Sequence, residues 1–273
     1  MTEQSYTTVL EQILKDASAT AYGQFAKITS HEQTAANWQL MQDTVGIVGR
    51  QIVAALQANF PSDNIMEASS GVIDAGGQLT WVVNAIQGQA NFANGVPVFG
   101  VMIGAVDASG PLVGGAALPL ANEVYVAERW KGATCNGVRL VASGETDLAK
   151  ILLSYTIRSH HDNGSTGFTD REMPVLRDII LHTGSLRTTD SAFDVLQVAK
   201  GAYGAAVNMS ATIYESVAQH ILMVESGSVY TDFWGRPIDY SNPLTLAAAP
   251  FSYCAAPAAL HTALQNLIRP YAS

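Results

Sequence analysis

The sequence predicts an α+β chain in which sheets and helices alternate in layers, and three observations carry that expectation. Two long segments of helical hydrophobic spacing open the chain. A run of short apolar strands broken by Gly, Pro and Asn turns follows, and the second half then alternates strand with helix. With 273 residues the chain is long enough to bury a substantial core, as one large domain or two small ones. Hydrophobic residues make up 48% and charged residues 14%, which is the composition of a globular protein and not of a disordered one.

The first helix is predicted over residues 5–28, where Val9, Leu10, Ile13, Leu14, Ala17, Ala21 and Phe25 recur at helical spacing. A polar link over 29–41 precedes a second helix from Asp43 to Phe60, which Pro61-Ser62-Asp63-Asn64 stops. Strands are predicted at Leu79–Ala85, Val98–Val106, Leu112–Leu118 and Glu123–Ala127, with Lys131–Gly137 as a tight turn. The second half reads as a strand at Ile151–Thr156, a polar segment at Arg158–Thr169, and helices near Asp170–His182 and Ser191–Lys200. A short strand at Gly204–Val207, a helix at Tyr214–Glu225 and a strand at Val229–Asp232 follow. Leu246–Ala249 is predicted as a buried strand and Pro257–Ile268 as the closing helix. There is no internal repeat or low-complexity linker. Two subdomains, 1–148 and 149–273, are therefore expected to pack intimately as one unit.

A formal net charge of −9, with 14 Lys and Arg in all, argues against nucleic acid as a partner. No apolar run reaches the roughly 20 residues that a membrane span needs. The N-terminal stretch is polar and amphipathic and lacks the basic start and apolar core of a signal peptide. Cys135 and Cys254 lie far apart and read as reduced thiols, so the expected location is the cytoplasm.

The most informative segment is Trp81-Val82-Val83-Asn84-Ala85-Ile86-Gln87-Gly88-Gln89-Ala90-Asn91-Phe92. It resembles the W-(I/V)-(I/V)-D-P-I-D-G-T-x-N-F signature of the inositol monophosphatase family, keeping Trp81, Ile86, Gly88, Asn91 and Phe92. Four further segments resemble family patterns in family order: Gly132–Ser143, Asp147–Leu153, Arg187–Gly201, and Tyr214–Ala218 with Val224–Val229. The likeness covers nearly the whole chain. It implies the layered αβαβα sandwich of the fructose-bisphosphatase-like superfamily, an α+β fold, and a homodimer.

The resemblance also implies a phosphatase in which Mg²⁺ ions, held by carboxylates, polarise the phosphate and activate water. Here the implied ligand set is altered. Glu67 is the counterpart of the first glutamate, but Ala68 stands where a second acid is usual. Asn84 and Gln87 occupy both signature aspartate positions, and Gln89 replaces the threonine that places water. Glu215 stands for the later aspartate, one methylene longer. A normal multi-magnesium site is therefore not expected to assemble. Asn84 and Gln87 have two readings, as groups that meet a ligand or as internal hydrogen-bonding groups that hold the old loop in shape.

The implied substrate pocket changes too. Asp190 sits at a family glycine, Asn208 at a glutamate that recognises hydroxyls, and Tyr214 at a tryptophan. Asp43 falls near a family aspartate and reads as structural. His160 and His161 follow a strand end and read either as a surface loop or as metal-free acid–base groups. There is no nucleophile elbow, P-loop or CxxC site.

Glu67, Asp190 and Glu215 are thus the candidate catalytic residues, since carboxyls crowded into one cleft raise at least one pKa. Asn84, Gln87, Gly88, Gln89, Asn208, Tyr214 and His161 are the candidate substrate-binding residues, with no metal ligand assigned. Three functions stay open: a metal-independent reaction on a small molecule, a non-catalytic binder of a ligand or partner, and a residual phosphomonoesterase. Only the last calls for a cofactor, Mg²⁺.

Overall fold

The computed structural model describes residues 5–28, 34–157 and 167–272. Helices α1 (Tyr6–Phe25) and α2 (Ala35–Asn59) open the chain. Strands β1 (Asn64–Glu67), β2 (Gly71–Ile73) and β3 (Thr80–Gln87) follow, then the one-turn helix α3 (Gln89–Ala93). A meander of β4 (Gly100–Asp107), β5 (Gly110–Leu118), β6 (Glu123–Glu128), β7 (Gly132–Cys135) and β8 (Val138–Arg139) completes the first sheet. Its eight strands run in the order β2-β1-β3-β4-β5-β6-β7-β8, antiparallel except where β1 lies parallel to β3.

The rest of the chain contributes β9 (Leu152–Thr156), α4 (Gly167–His182), β10 (Ser185–Arg187), α5 (Ala192–Ala199), β11 (Ala205–Ala211) and α6 (Ile213–Glu225). It ends with β12 (Ser228–Thr231), β13 (Phe251–Pro257) and α7 (Ala258–Ile268). The second sheet has the order β10-β9-β11-β13-β12, with its first three strands parallel.

Period-two alternation along the strands sends side chains to opposite faces and so builds three apolar cores between five layers. Leu10, Leu14, Ile52 and Leu56 of α1 and α2 bury against Trp81, Val83 and Ile103 on one face of the first sheet. On its other face, Val82 and Met102 meet Val195 and Leu196 of α5, Val217 and Ile221 of α6, and Ala206 and Ala255 of the second sheet. Beyond the second sheet, Leu153, Val207 and Ala256 pack on Val175 and Ile179 of α4 and Leu260 and Leu264 of α7. This is the αβαβα sandwich. Among the described residues, no helix is long and apolar enough to cross a membrane. Cys135 and Cys254 are free thiols.

Some elements differ from the sequence reading. α2 begins at Ala35, inside the expected link, because Thr34 caps it by accepting a hydrogen bond from the Asn37 N–H. Lys131–Gly137 is a hairpin strand, not one turn; the reversal is confined to Asn136-Gly137, with φ of 48° and 78°. Leu246–Ala249 is no strand. Pro243–Thr245 forms a single 3₁₀ turn, Ala247 and Ala248 are exposed, and the strand comes later at Phe251–Pro257. An alanine run offers too little area to hold a buried position.

Gly104 sets how closely α6 approaches the first sheet. A Cβ there would lie 2.7 Å from the Ala218 N and 2.8 Å from Val217 Cγ1. Gly104→Ala is expected to push α6 off the sheet and cost about 1–3 kcal/mol by denaturant unfolding.

His220 of α6 is partly buried, 3.1 Å from the Tyr240 hydroxyl and in ring contact with Tyr230. Burial pushes its pKa down to about 4. The unfolded chain takes up a proton near pH 6.5 and the folded chain resists it until about pH 4. Stability is therefore expected to fall by up to about 3 kcal/mol as pH drops through that window and to level off below it. Urea unfolding of His220→Gln should show that slope flattened.

Candidate active site

Strand β3 ends at Gln87, and Gly88, at φ +99°, turns the chain into α3. A Cβ at Gly88 would lie 3.0 Å from the Val98 carbonyl, so glycine satisfies both the backbone angle and the space. Asn91 then ties the loop down: its Nδ2 donates to the Val98 carbonyl at 2.8 Å and to the Thr189 carbonyl at 2.7 Å. The second bond reaches across the molecule to the residue before Asp190. Phe92 locks the other side through edge contacts with Phe25 and Phe99.

Inside this frame a chain of side-chain hydrogen bonds runs from the first sheet to α6. Asn84 Nδ2 donates to Gln87 Oε1 at 3.1 Å, and Gln87 Nε2 donates to Glu215 Oε1 at 2.8 Å. Glu215 Oε2 in turn accepts the Thr212 backbone N–H at 3.0 Å, as a glutamate at the third position of a helix does in a capping box. Asn84, Gln87 and Glu215 are 8%, 9% and 3% exposed. The direction of the chain follows from chemistry. A carboxylate only accepts, so Gln87 must turn its nitrogen to Glu215, and its oxygen is then left for Asn84.

Glu67, at the end of β1, is 1% exposed. Its Oε2 accepts from the Ser69 N–H, the Ser69 hydroxyl and the Ser70 N–H, at 3.0, 2.8 and 2.6 Å. Its Oε1 has no partner among the described residues and lies against α2, where a Cβ on Gly49 would come within 2.9 Å of it.

A cleft of about 410 Å³ opens in front of the chain of amides. Asn84, Gln87, Gly88, Gln89, Asp190, Tyr214 and Glu215 line it with Ala68, Ala90, Thr212 and Ala247. The fold thus brings most of the expected residues to one wall. Burial, and then the nearby Glu67, hold the Tyr214 hydroxyl above its usual pKa and so neutral. Glu67 lies behind this wall instead of lining it. Asn208, 2% exposed, does not line it either, and its Oδ1 accepts the Ser210 N–H at 2.7 Å. Asp43 is exposed on α2, bonded to Gln39 Nε2. His161 and His160 lie outside the described residues. Thr212 was readable, since Thr212-x-x-Glu215 is a capping-box pattern. Gly49 and Ala247 carry no sequence signal for the site.

A family model described as "Inositol monophosphatase family" matches residues 2–269. The chain is 33% identical over 189 residues to the Nus factor SuhB of Pseudomonas aeruginosa, covering 67% of this chain and 69% of that one. It is 26% identical over 186 residues to a fructose-1,6-bisphosphatase/inositol-1-monophosphatase of Aquifex aeolicus, covering 67% and 68%. The crystal structure of extragenic suppressor protein SuhB from Bartonella henselae superposes with a TM-score of 0.80 at 18% identity, over 96% of this chain and 98% of that one. The inositol monophosphatase of Anabaena matches at 0.80 and 19%, over 97% and 95%.

The chain belongs to the inositol monophosphatase family.

Set against the family pattern, the scaffold residues Trp81, Gly88, Asn91 and Phe92 hold the loop here by the contacts just described, and Trp81 Nε1 donates to Asp63 Oδ2 at 2.9 Å. Among the described residues, no three His, Cys, Asp or Glu side chains are grouped to hold a metal ion. Asp190 adopts φ +48°, a left-handed angle that is strained for most non-glycine residues and least so for Asp and Asn. Next to it, Thr189 Oγ1 donates to Asp194 Oδ2 at 2.6 Å, and burial raises the Asp194 pKa.

Gln87→Leu is expected to deprive Asn84 of its acceptor and Glu215 of a donor, at a cost of about 1–3 kcal/mol in urea unfolding. Gln89→Leu, on the exposed side of the same wall, should stay within about 0.5 kcal/mol of the parent.

Proposed function

We propose that this member of the inositol monophosphatase family handles a small molecule in its cleft without a multi-magnesium centre. The chain of hydrogen bonds from Asn84 through Gln87 to Glu215 carries the reading. A Mg²⁺ ion demands near-octahedral oxygen ligands, with carboxylates to offset its charge. At the two signature positions this site supplies neutral amides, and Gln87 points N–H hydrogens at the one carboxylate beside it. Glu67, the other carboxylate of the implied ligand set, has its Oε2 bonded to Ser69 and Ser70, which leaves only Oε1 without a partner among the described residues. The residues present do not fit the magnesium cluster that the family pattern implies.

Asp190 and Glu215 are then the carboxyl groups that face a ligand, with Asn84, Gln87, Gln89 and the neutral Tyr214 hydroxyl as hydrogen-bonding partners. Asp190 is the favoured acid or base, because its strained backbone is tolerated at a position where glycine would relieve it. Glu67 acts from behind the wall as a positioning group for the Ser69 loop. A second reading, a cleft that binds without catalysis, is favoured by the bonds that occupy both oxygens of Glu215.

Calorimetry with Mg²⁺, run beside phosphate release from myo-inositol monophosphate, tests the proposal. The expected outcome is no saturable binding in the millimolar range and no magnesium-dependent release. Turnover that requires Mg²⁺ would restore the ordinary family chemistry. The triple reversal Asn84→Asp, Gln87→Asp, Glu215→Asp is expected to raise Mg²⁺ affinity by about tenfold or more, about 1.4 kcal/mol.

A further inference from the structure

A second, smaller chamber of about 220 Å³ adjoins the cleft on the α2 side, sharing Ala68, Asn84 and Gln89 with it. Its apolar floor is Met41 and Val45 of α2 with Ala85 of β3, which are 3%, 8% and 1% exposed. Gln42, Ser69, Asn84 and Gln89 form its polar rim, and no charged side chain lines it. The volume is several times the roughly 30 Å³ share of one water, enough for a substituent of a few non-hydrogen atoms.

The donors and acceptors on this rim are specific. Asn84 gives its nitrogen to Gln87, so its Oδ1 remains as an acceptor without a partner among the described residues. The exposed amides of Gln42 and Gln89 have no hydrogen-bond partner among the described residues, and each can donate. An anionic or cationic substituent would lose hydration here with no opposite charge to meet it. A plain alkyl group would match the floor and waste the rim. One N–H acceptor, two amide donors and a small apolar floor together match a secondary amide with a short alkyl end.

We propose that this chamber is a subsite for an acylamino substituent of the cleft's ligand. The N–H is directed to Asn84 Oδ1, the carbonyl to Gln42 or Gln89, and the methyl to Met41, Val45 and Ala85. The inference takes the small-molecule cleft as given and adds the substrate class: a polar small molecule carrying an acetamido or similar group.

N-methylacetamide, titrated into protein labelled at its Met, Val and Ala methyl groups and followed by NMR, tests this directly. The expected result is saturable shifts confined to the methyls of Met41, Val45 and Ala85, at least about fivefold weaker with acetate or methylammonium. Gln42→Trp, on the exposed face of α2, should fill the chamber and abolish the response while the unfolding midpoint stays near that of the parent. Gln42→Leu, should the larger residue disturb the helix, removes one donor at similar size and should weaken binding. Shifts that are absent, scattered over the surface, equal for acetate or methylammonium, or unchanged in both variants would overturn the proposal. None of these outcomes bears on the Mg²⁺ calorimetry, so the two readings fail separately.

Discussion

The hydrogen bond from Gln87 to Glu215 joins the end of a central strand of the first sheet to the first turn of α6. Most of what the cleft is depends on that contact. Glu215 can hold it because its other oxygen is fixed on the Thr212 N–H, which sets the carboxylate plane and leaves Oε1 pointing back to β3. Gln87 can hold it because Gly88 ends the strand there and Asn91 anchors the loop that follows. Both amides and the carboxylate are more than nine-tenths buried, where a polar group left without a partner costs more than a bond gained in water. The chain is thus a constraint on the fold as much as a feature of the cleft.

The same logic accounts for how α6 is seated. The helix lies between the two sheets, and Val217 and Ile221 fill the middle core while its N-terminal turn carries Glu215 to the cleft. Gly104 lets the helix approach closely enough for Glu215 to reach Gln87. Packing in the core and polar contacts at the rim therefore set one distance from two sides. The bond from Asn91 to the Thr189 carbonyl does the same for Asp190, coupling the signature loop to the segment that leads into α5.

Much of this was legible in the sequence, and the limits have physical causes. The apolar spacing of α1, the β4–β6 meander, and Trp81, Gly88, Asn91 and Phe92 in order were enough for the fold, because periodicity and backbone demands are local. The start of α2 was missed because its first turns carry few core residues and depend on the Thr34 cap. The Leu246–Ala249 stretch was misread because an apolar run does not by itself say what it packs on. At the cleft, the sequence presented the residues but not their pairing. That Asn84 donates to Gln87, and Gln87 to Glu215, depends on the contact of residues 128 positions apart. Asn208 shows the reverse case, a residue assigned to the ligand by position whose Oδ1 instead serves the Ser210 N–H.

Glu215 is seated in this network by both of its oxygens. An aspartate at the third position of a helix has a shorter reach back to the capping N–H, and glutamate is the residue the capping box favours there. The extra methylene lets Glu215 fold back on Thr212 with one oxygen and present the other to Gln87. Asparagine alone at 84, or glutamine alone at 87, would leave a buried donor or acceptor unmatched. With Glu215 as the terminal acceptor, the Asn84 nitrogen meets the Gln87 oxygen and the Gln87 nitrogen meets the carboxylate, which fixes the order of the three side chains.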